Sequence, residues 1–350
     1  MRGRQQKYRE FIEYYRDMIL SGKMKPGEKM PTVRELMKIH NVSYSTVSRG
    51  LLELEKDGLI KREHGRGIFV SEKFRKVTKA AVFLPFGPKH DRLVSEVLKG
   101  IEETLNAHSY LPFVFAMDSE HDKRFQVFEE VSSEVRGVLF MPPEKMFENT
   151  EDFLEMISYL RSLHRKFPLV IVDRFPFGTE DYFNWVTSDH YEGMRKITEL
   201  AVSKGYVNLY FIYHARYDRM SSTAEKKKGF IDASAGKNST IITEKEFLES
   251  PLKYFKYSRR KKTAFIANDD ALAERIILRL EEEGIPPFTD YGIAGFGNFA
   301  VRYSGRLTTV EQFPYQIGKS AAEGLISLIK GKKAEFRKKI PVKVEDKGSL

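Results

Sequence analysis

Ser45, Thr46 and Arg49 place two small hydroxyls and a guanidinium at helical spacing in the first fifth of the chain. A face of that kind can enter a DNA major groove, about 12 Å wide, and hydrogen-bond to base edges. Arg34 is placed for a phosphate or base contact, and Tyr44 lies on the flank of the same face. Arg66 stands between Gly65 and Gly67, where a narrow tip can approach the adjacent minor groove. A second set of polar residues follows short apolar runs farther along: the segment Phe86 to Arg92, which includes Asp91, then Asp173-Arg174, Asp189 to Glu192, Asn268-Asp269 and Gly297-Asn298. Aromatic faces beside planar polar groups suit a sugar, which needs a flat surface for its C–H bonds and bidentate partners for vicinal hydroxyls.

Other chemistries are excluded. The chain has no cysteine, so thiolate metal sites, iron–sulfur ligation and a thiol nucleophile are absent. Its eight histidines show no paired metal-ligand spacing. Gly295-Phe296-Gly297-Asn298-Phe299-Ala300 satisfies a dinucleotide fingerprint but lies in a late strand instead of a first βα unit. Gly318-Lys319-Ser320 resembles the end of a phosphate loop, yet Phe313 stands where glycine is required, and a helix packed on a sheet is the better reading. No catalytic residue, metal or cofactor is expected.

The groove-reading residues need a scaffold, and the first seventy residues supply one. Tyr8, Phe11, Ile12, Tyr15, Met18 and Ile19 mark one face of a helix ending near Gly22. Thr32 and Glu35 form a capping box for a second helix through His40. Ser43 can cap a third, whose Val47, Leu51 and Leu54 fall opposite Ser45 and Arg49. Two apolar runs around Glu63–Gly67 read as a hairpin, which completes a winged helix-turn-helix. Charge agrees: residues 1–75 hold 17 Lys and Arg against 10 Asp and Glu, a net +7 of the whole chain's +10. A small polyanion-binding head on a nearly neutral body follows.

In that body, short continuous apolar runs alternate with helical patterns, from Ala80–Phe86 to Gly292–Phe296. This means parallel sheets flanked by helices, and the number of runs calls for two α/β lobes. Ligands of open α/β sheets sit at the carboxyl ends of the strands, where the second polar set falls. No stretch approaches the roughly 18 apolar residues of a membrane helix, and MRGRQQKYRE lacks a signal peptide's apolar core, so a cytoplasmic protein without membrane contact is expected.

Residues 8–70 resemble the GntR family of bacterial regulators through Pro26-Gly27-Glu28, Met30-Pro31-Thr32-Val33-Arg34-Glu35-Leu36, Val42 to Val47, Leu54 to Ile60 and Gly65 to Val70. The resemblance implies that Arg34, Tyr44, Ser45, Thr46, Arg49, Arg66 and Gly67 contact double-stranded operator DNA. Tyr44 stands where many members have Arg. Residues 79–344 resemble the LacI/GalR effector domains, which are periplasmic-binding-protein-like. The segments that carry this are Pro168 to Arg174, Thr187 to Gly193, Ala267 to Ala273, Gly292 to Phe296 and Leu307 to Gln312. It implies effector contacts by Phe86, Asp173, Arg174, Asn268 and Gln312. Two positions depart: Lys226 replaces the usual Arg, and Gly297-Asn298 replaces the usual acid. A sugar phosphate or acid facing Arg174 and Lys226 therefore stays open beside a neutral sugar.

The expected organisation is a head at 1–70, a linker at 71–78 and a two-lobed domain at 79–344. Lobe one would hold 79–204 and 311–337, and lobe two 205–310 and 338–344. The implied function is a homodimeric transcriptional regulator, a repressor of carbohydrate metabolism controlled by a sugar or sugar derivative. The alternatives are a GntR-headed pyridoxal-phosphate enzyme-like regulator and a sugar-binding transport component.

Overall fold

Helix α1 (Arg2–Leu20) turns Phe11, Ile12, Tyr15 and Ile19 inward at three- and four-residue steps, which builds the floor of the head's core. The computed structural model describes the chain except residues 1, 21, 72–77, 86–91, 118–127, 129–131 and 255–261, and the side chains of 2–6, 9 and 20. Contacts divide it into two units, Met1–Thr78 and Lys79–Leu350.

Helix α2 (Val33–His40) begins at the Thr32–Glu35 capping box and stops at Asn41, whose φ of 48° is left-handed. Helix α3 (Tyr44–Lys56) starts where Ser43 accepts from the Thr46 N–H, and it buries Val47, Gly50, Leu51 and Leu54. Strands β1 (Ile60–Glu63) and β2 (Gly67–Val70) pair antiparallel, with Ile60 opposite Val70 and Glu63 opposite Gly67. Residues 28–30 add a short third rung: Met30 N–H donates to Ile68 and Val70 N–H to Glu28, each at 2.8 Å. The head is a winged helix-turn-helix.

The second unit has two main sheets. The first runs in the order β13 (Arg337–Ile340), β7 (Asn184–Ser188), β6 (Leu169–Val172), β5 (Val135–Phe140), β3 (Thr78–Pro85), β4 (Tyr110–Met117). Its pairs from β13 to β3 are parallel. The second runs β11 (Gly292–Ala294), β10 (Lys262–Ala267), β8 (Tyr206–Tyr213), β9 (Asn238–Thr243), all parallel. All four side chains of β6 are buried, as expected of a strand covered on both faces. Helix α4 (Arg92–Ala107) and the helix Pro314–Ile329 cover one face of the first sheet, and the helix Thr150–Lys166 covers the other. A small antiparallel pair, β12 (Thr309–Glu311) with β14 (Lys343–Glu345), completes the body.

Two of the three crossings between lobes lie at points that differ from those expected. The helix His190–Ser203 buries Met194, Ile197 and Ala201 against Leu209, Phe211 and Phe230, so it belongs to the second lobe. The first crossing therefore lies between Ser188 and His190 and not near Lys204–Gly205. Strand β13 pairs with β7 through Ile340, which moves the last crossing past Lys338 into the two residues before β14. Among the described residues, no helix is long and apolar enough to cross a membrane.

Candidate functional site: the interlobe junction and the groove-reading face

On the head, Arg34, Tyr44, Ser45, Arg49 and Arg66 are all exposed, whereas Thr46 and Gly67 are half-buried. Ser43 Oγ lies 2.9 Å from both Ser45 Oγ and Thr46 Oγ1, so one hydroxyl network orders the first turn of α3. The Arg49 guanidinium sits 4.9 Å from the centre of the Tyr8 ring, and the Tyr8 hydroxyl donates to Glu53. Arg49 thus leaves α3 along a preformed aromatic shelf. At the wing, Arg66 pairs with Glu63 at 2.6 Å and remains 74% exposed. Gly67 takes a φ of 122°, a left-handed backbone that favours glycine, and the Lys29 side chain lies close by, 2.9 Å from where a Cβ would stand. Lys29, like Arg66, stands over Phe69. Sequence reasoning missed Lys29, since only the third rung brings it to the wing.

In the body, strand ends of both lobes converge on one group of charges. Asp173, at φ 67°, follows β6, and Arg174 Nε donates to its Oδ2 at 3.3 Å. Arg174 Nη1 donates to Glu144 Oε1 at 2.6 Å. Glu144 opens the short turn Glu144–Phe147 after β5, and its other oxygen accepts from the hydroxyl of Tyr217, which follows β8. That bond joins the two lobes. After β10, Asp269 caps the helix Asp270–Glu282 through the Leu272 N–H at 2.8 Å and lies 3.2 Å from His214 Nε2. His214 Nδ1 is 2.5 Å from Glu244 Oε2. Lys226 is buried, donates to the Asn268 backbone carbonyl at 2.7 Å and holds its ammonium 4.1 Å from the centre of the Phe296 ring.

The electrostatics follow from this crowding. Burial pushes the Lys226 ammonium down to about 8, against the upward pull of Asp269, Asp173 and Asp270. Burial works to raise Asp269, but the His214 imidazole and the Leu272 N–H hold it at about 2. Burial works to lower His214, and Asp269 and Glu244 outweigh it, so its pKa rises. Glu144 is likewise drawn down, because Arg174 and the Tyr217 hydroxyl prevail over its desolvation.

Among the described residues, Asp173 Oδ1, Asn268 Oδ1, Thr187 Oγ1 and both ring nitrogens of His190 are buried without a hydrogen-bond partner. An unmade bond of this kind costs about 1–3 kcal/mol, and a ligand that supplies it recovers the loss.

The expected effector residues divide. Asp173, Arg174, Lys226 and Asn268 come together at the junction. Gln312 is buried at the second crossing, where its backbone carbonyl accepts from Ser188 Oγ at 3.2 Å. Asn298 is committed elsewhere: its Nδ2 donates to Glu311 at 2.6 Å and its Oδ1 accepts from Lys347 at 2.7 Å, so it holds a turn. Gly297 takes a φ of 127°, with Phe299 2.9 Å from a would-be Cβ, which disfavours an acid at that position. Phe86 and Asp91 lie outside the described residues. Glu144, Tyr217, His214, Asp269 and His190 enter the group without having been singled out. Asp269 and His190 sit in strand-end segments already marked, and Glu144 obeys the same rule after β5.

Residues 7–70 match the family described as bacterial regulatory proteins, gntR family. Residues 192–350 match a periplasmic binding protein-like domain. The arabinose metabolism transcriptional repressor of Geobacillus stearothermophilus is 26% identical over 346 residues, covering 92% of this chain and 91% of that protein. A protein of the same description from Halalkalibacterium halodurans is 24% identical, over 92% of this chain and 89% of its own. A LacI family transcriptional regulator from Enterococcus faecium, solved with bound ribose, superposes with a TM-score of 0.57 at 20% identity, covering 78% of this chain and 98% of that one. The body is therefore not aminotransferase-like, and the pyridoxal alternative falls. The chain is thus a transcriptional regulator in which a winged helix-turn-helix head that matches the gntR family is fused to a periplasmic-binding-protein-like effector domain.

Proposed function

We propose that this regulator represses sugar-utilisation genes in the bacterial cytoplasm, binds operator DNA as a homodimer, and releases it when a neutral pentose, with L-arabinose as the first choice, occupies the interlobe junction. The observation that carries the ligand class is the cluster of buried, unpartnered oxygens and ring nitrogens on Asp173, Asn268, Thr187 and His190. Such a cluster matches a ligand rich in hydroxyls, each both donor and acceptor. Charge supports a neutral ligand over a sugar acid or phosphate. Arg174 already faces Asp173 and Glu144, and Lys226 is surrounded by Asp173, Asp269 and Asp270, so no cationic excess remains for an anion. The arabinose repressors among its relatives agree with this choice. Two heads in a dimer would read two half-sites.

The test is fluorescence anisotropy on an operator fragment selected by the protein from random duplex DNA. L-arabinose should weaken binding at least tenfold, and Asp173→Asn should abolish that response while leaving sugar-free DNA affinity within twofold. Release by a sugar phosphate, with no response to any neutral pentose, would overturn the ligand class.

A further inference from the structure

We propose that His190 is a specificity residue of the effector site, its ring bonding one hydroxyl of the bound sugar and fixing which hydroxyl arrangement is accepted. The proposal rests on the sugar-responsive reading above. His190 opens the helix His190–Ser203 at the first crossing, directly after the Asp189 cap, so it stands where the two lobes meet. It is 4% exposed, and among the described residues neither ring nitrogen has a partner. A histidine that serves only packing normally spends at least one nitrogen on a carbonyl or hydroxyl, because leaving both unmade is costly.

Its surroundings point to the junction. The ring centroid lies 5.6 Å from that of Phe296, the same ring over which the Lys226 ammonium sits at 4.1 Å. Cations of three elements bear on it: Lys226 of the helix Ser221–Ala233, Lys339 of β13 and Arg174 after β6. Burial and these cations keep the imidazole neutral. A neutral imidazole offers a donor on one edge and an acceptor on the other, so a sugar hydroxyl can engage either nitrogen, whereas a carboxylate can engage only the N–H. Thr187, in register with Lys339 across the β7–β13 pair, adds a further unpartnered hydroxyl.

The experiment is calorimetric titration of the full chain with L-arabinose, its monodeoxy derivatives, L-ribose and D-xylose, for wild type, His190→Phe and His190→Gln. Phe keeps the ring and removes both nitrogens. Gln restores a donor and an acceptor. His190→Phe should lose at least tenfold in affinity for L-arabinose yet match wild type on one monodeoxy sugar, with Gln recovering part of the loss and altering the ranking of the epimers. Equal affinity of wild type and His190→Phe overturns the proposal, as does a uniform loss over every sugar, which marks a packing role. If His190→Phe does not fold, His190→Gln decides: a changed ranking supports the assignment and an unchanged one overturns it. Failure of wild type to bind any neutral sugar overturns the function reading itself, a result distinct from sugar binding that ignores position 190.

Discussion

His214 is held between Asp269 and Glu244 after β8, and the two acids raise its pKa even though its burial opposes the charge. A raised histidine binds its proton more tightly in the folded than in the unfolded chain. The resulting stability is complete below the unfolded value, near 6.5, and disappears as pH rises through the folded value. The difference in melting temperature between wild type and His214→Gln should therefore be largest at pH 6 and shrink by pH 8, read by thermal denaturation. A difference independent of pH would mean that the ring packs without its charge. Lys226 has the opposite disposition, since burial on Phe296 lowers its pKa and its proton is the more easily lost in the folded state. Arg at this position would bring a planar fork of five donors, whereas Lys brings a point charge that one carbonyl, that of Asn268, largely occupies.

At the scale of elements, two helices of the first lobe touch through glycines. A Cβ on Gly318 would stand 2.0 Å from the Val97 carbonyl oxygen, and one on Gly100 would stand 2.2 Å from that of Tyr315. Backbone cannot yield as a side chain does, so Gly318→Ala must push α4 and the helix Pro314–Ile329 apart. The expected cost is about 3 kcal/mol, at the upper end for overpacking, seen as a lowered urea midpoint of the effector unit. Unchanged stability would show that these helices are not in close contact. The same glycine belongs to the Gly-Lys-Ser triplet that mimics a phosphate loop, and its close approach to α4 is a structural use for it. The head was legible almost residue by residue because its signals are local: the Thr32–Glu35 box, the Ser43 cap and the Gly65-Arg66-Gly67 tip act within a few residues. The strand ends were legible for the same reason, and Asp173, Arg174 and Asn268, marked there, come together at the candidate site. The helix His190–Ser203 was recognised as a helix, but its apolar stripe does not say which sheet it covers, so the crossing was misplaced by about four turns of helix. Asn298 was assigned to the ligand because its partners, Glu311 and Lys347, are 13 and 49 residues away, beyond the reach of any local pattern.

For the molecule as a whole, the division of charge assigns different physics to the two units. The head holds most of the net charge, so its grip on DNA is dominated by counterion release and must fall steeply with salt, by about 0.9 logarithmic units per phosphate contact for each tenfold increase. The junction of the body holds no cationic excess, and the affinity proposed there for a neutral sugar should hardly respond to salt. Mutations on the two sides should therefore separate cleanly. Arg49→Ala removes a guanidinium that Tyr8 already orients and should cost about 1–3 kcal/mol of discrimination between operator and random DNA. Arg49→Lys keeps the charge without the planar stack, so it should retain the salt slope and much of the non-specific affinity while still losing specificity. Neither variant should change sugar affinity in titrations of the full chain. If Arg49→Lys instead restores full discrimination, then Arg49 acts only as a charge near phosphate, and the hydroxyls of Ser45 and Thr46 with Tyr44 must carry the base readout.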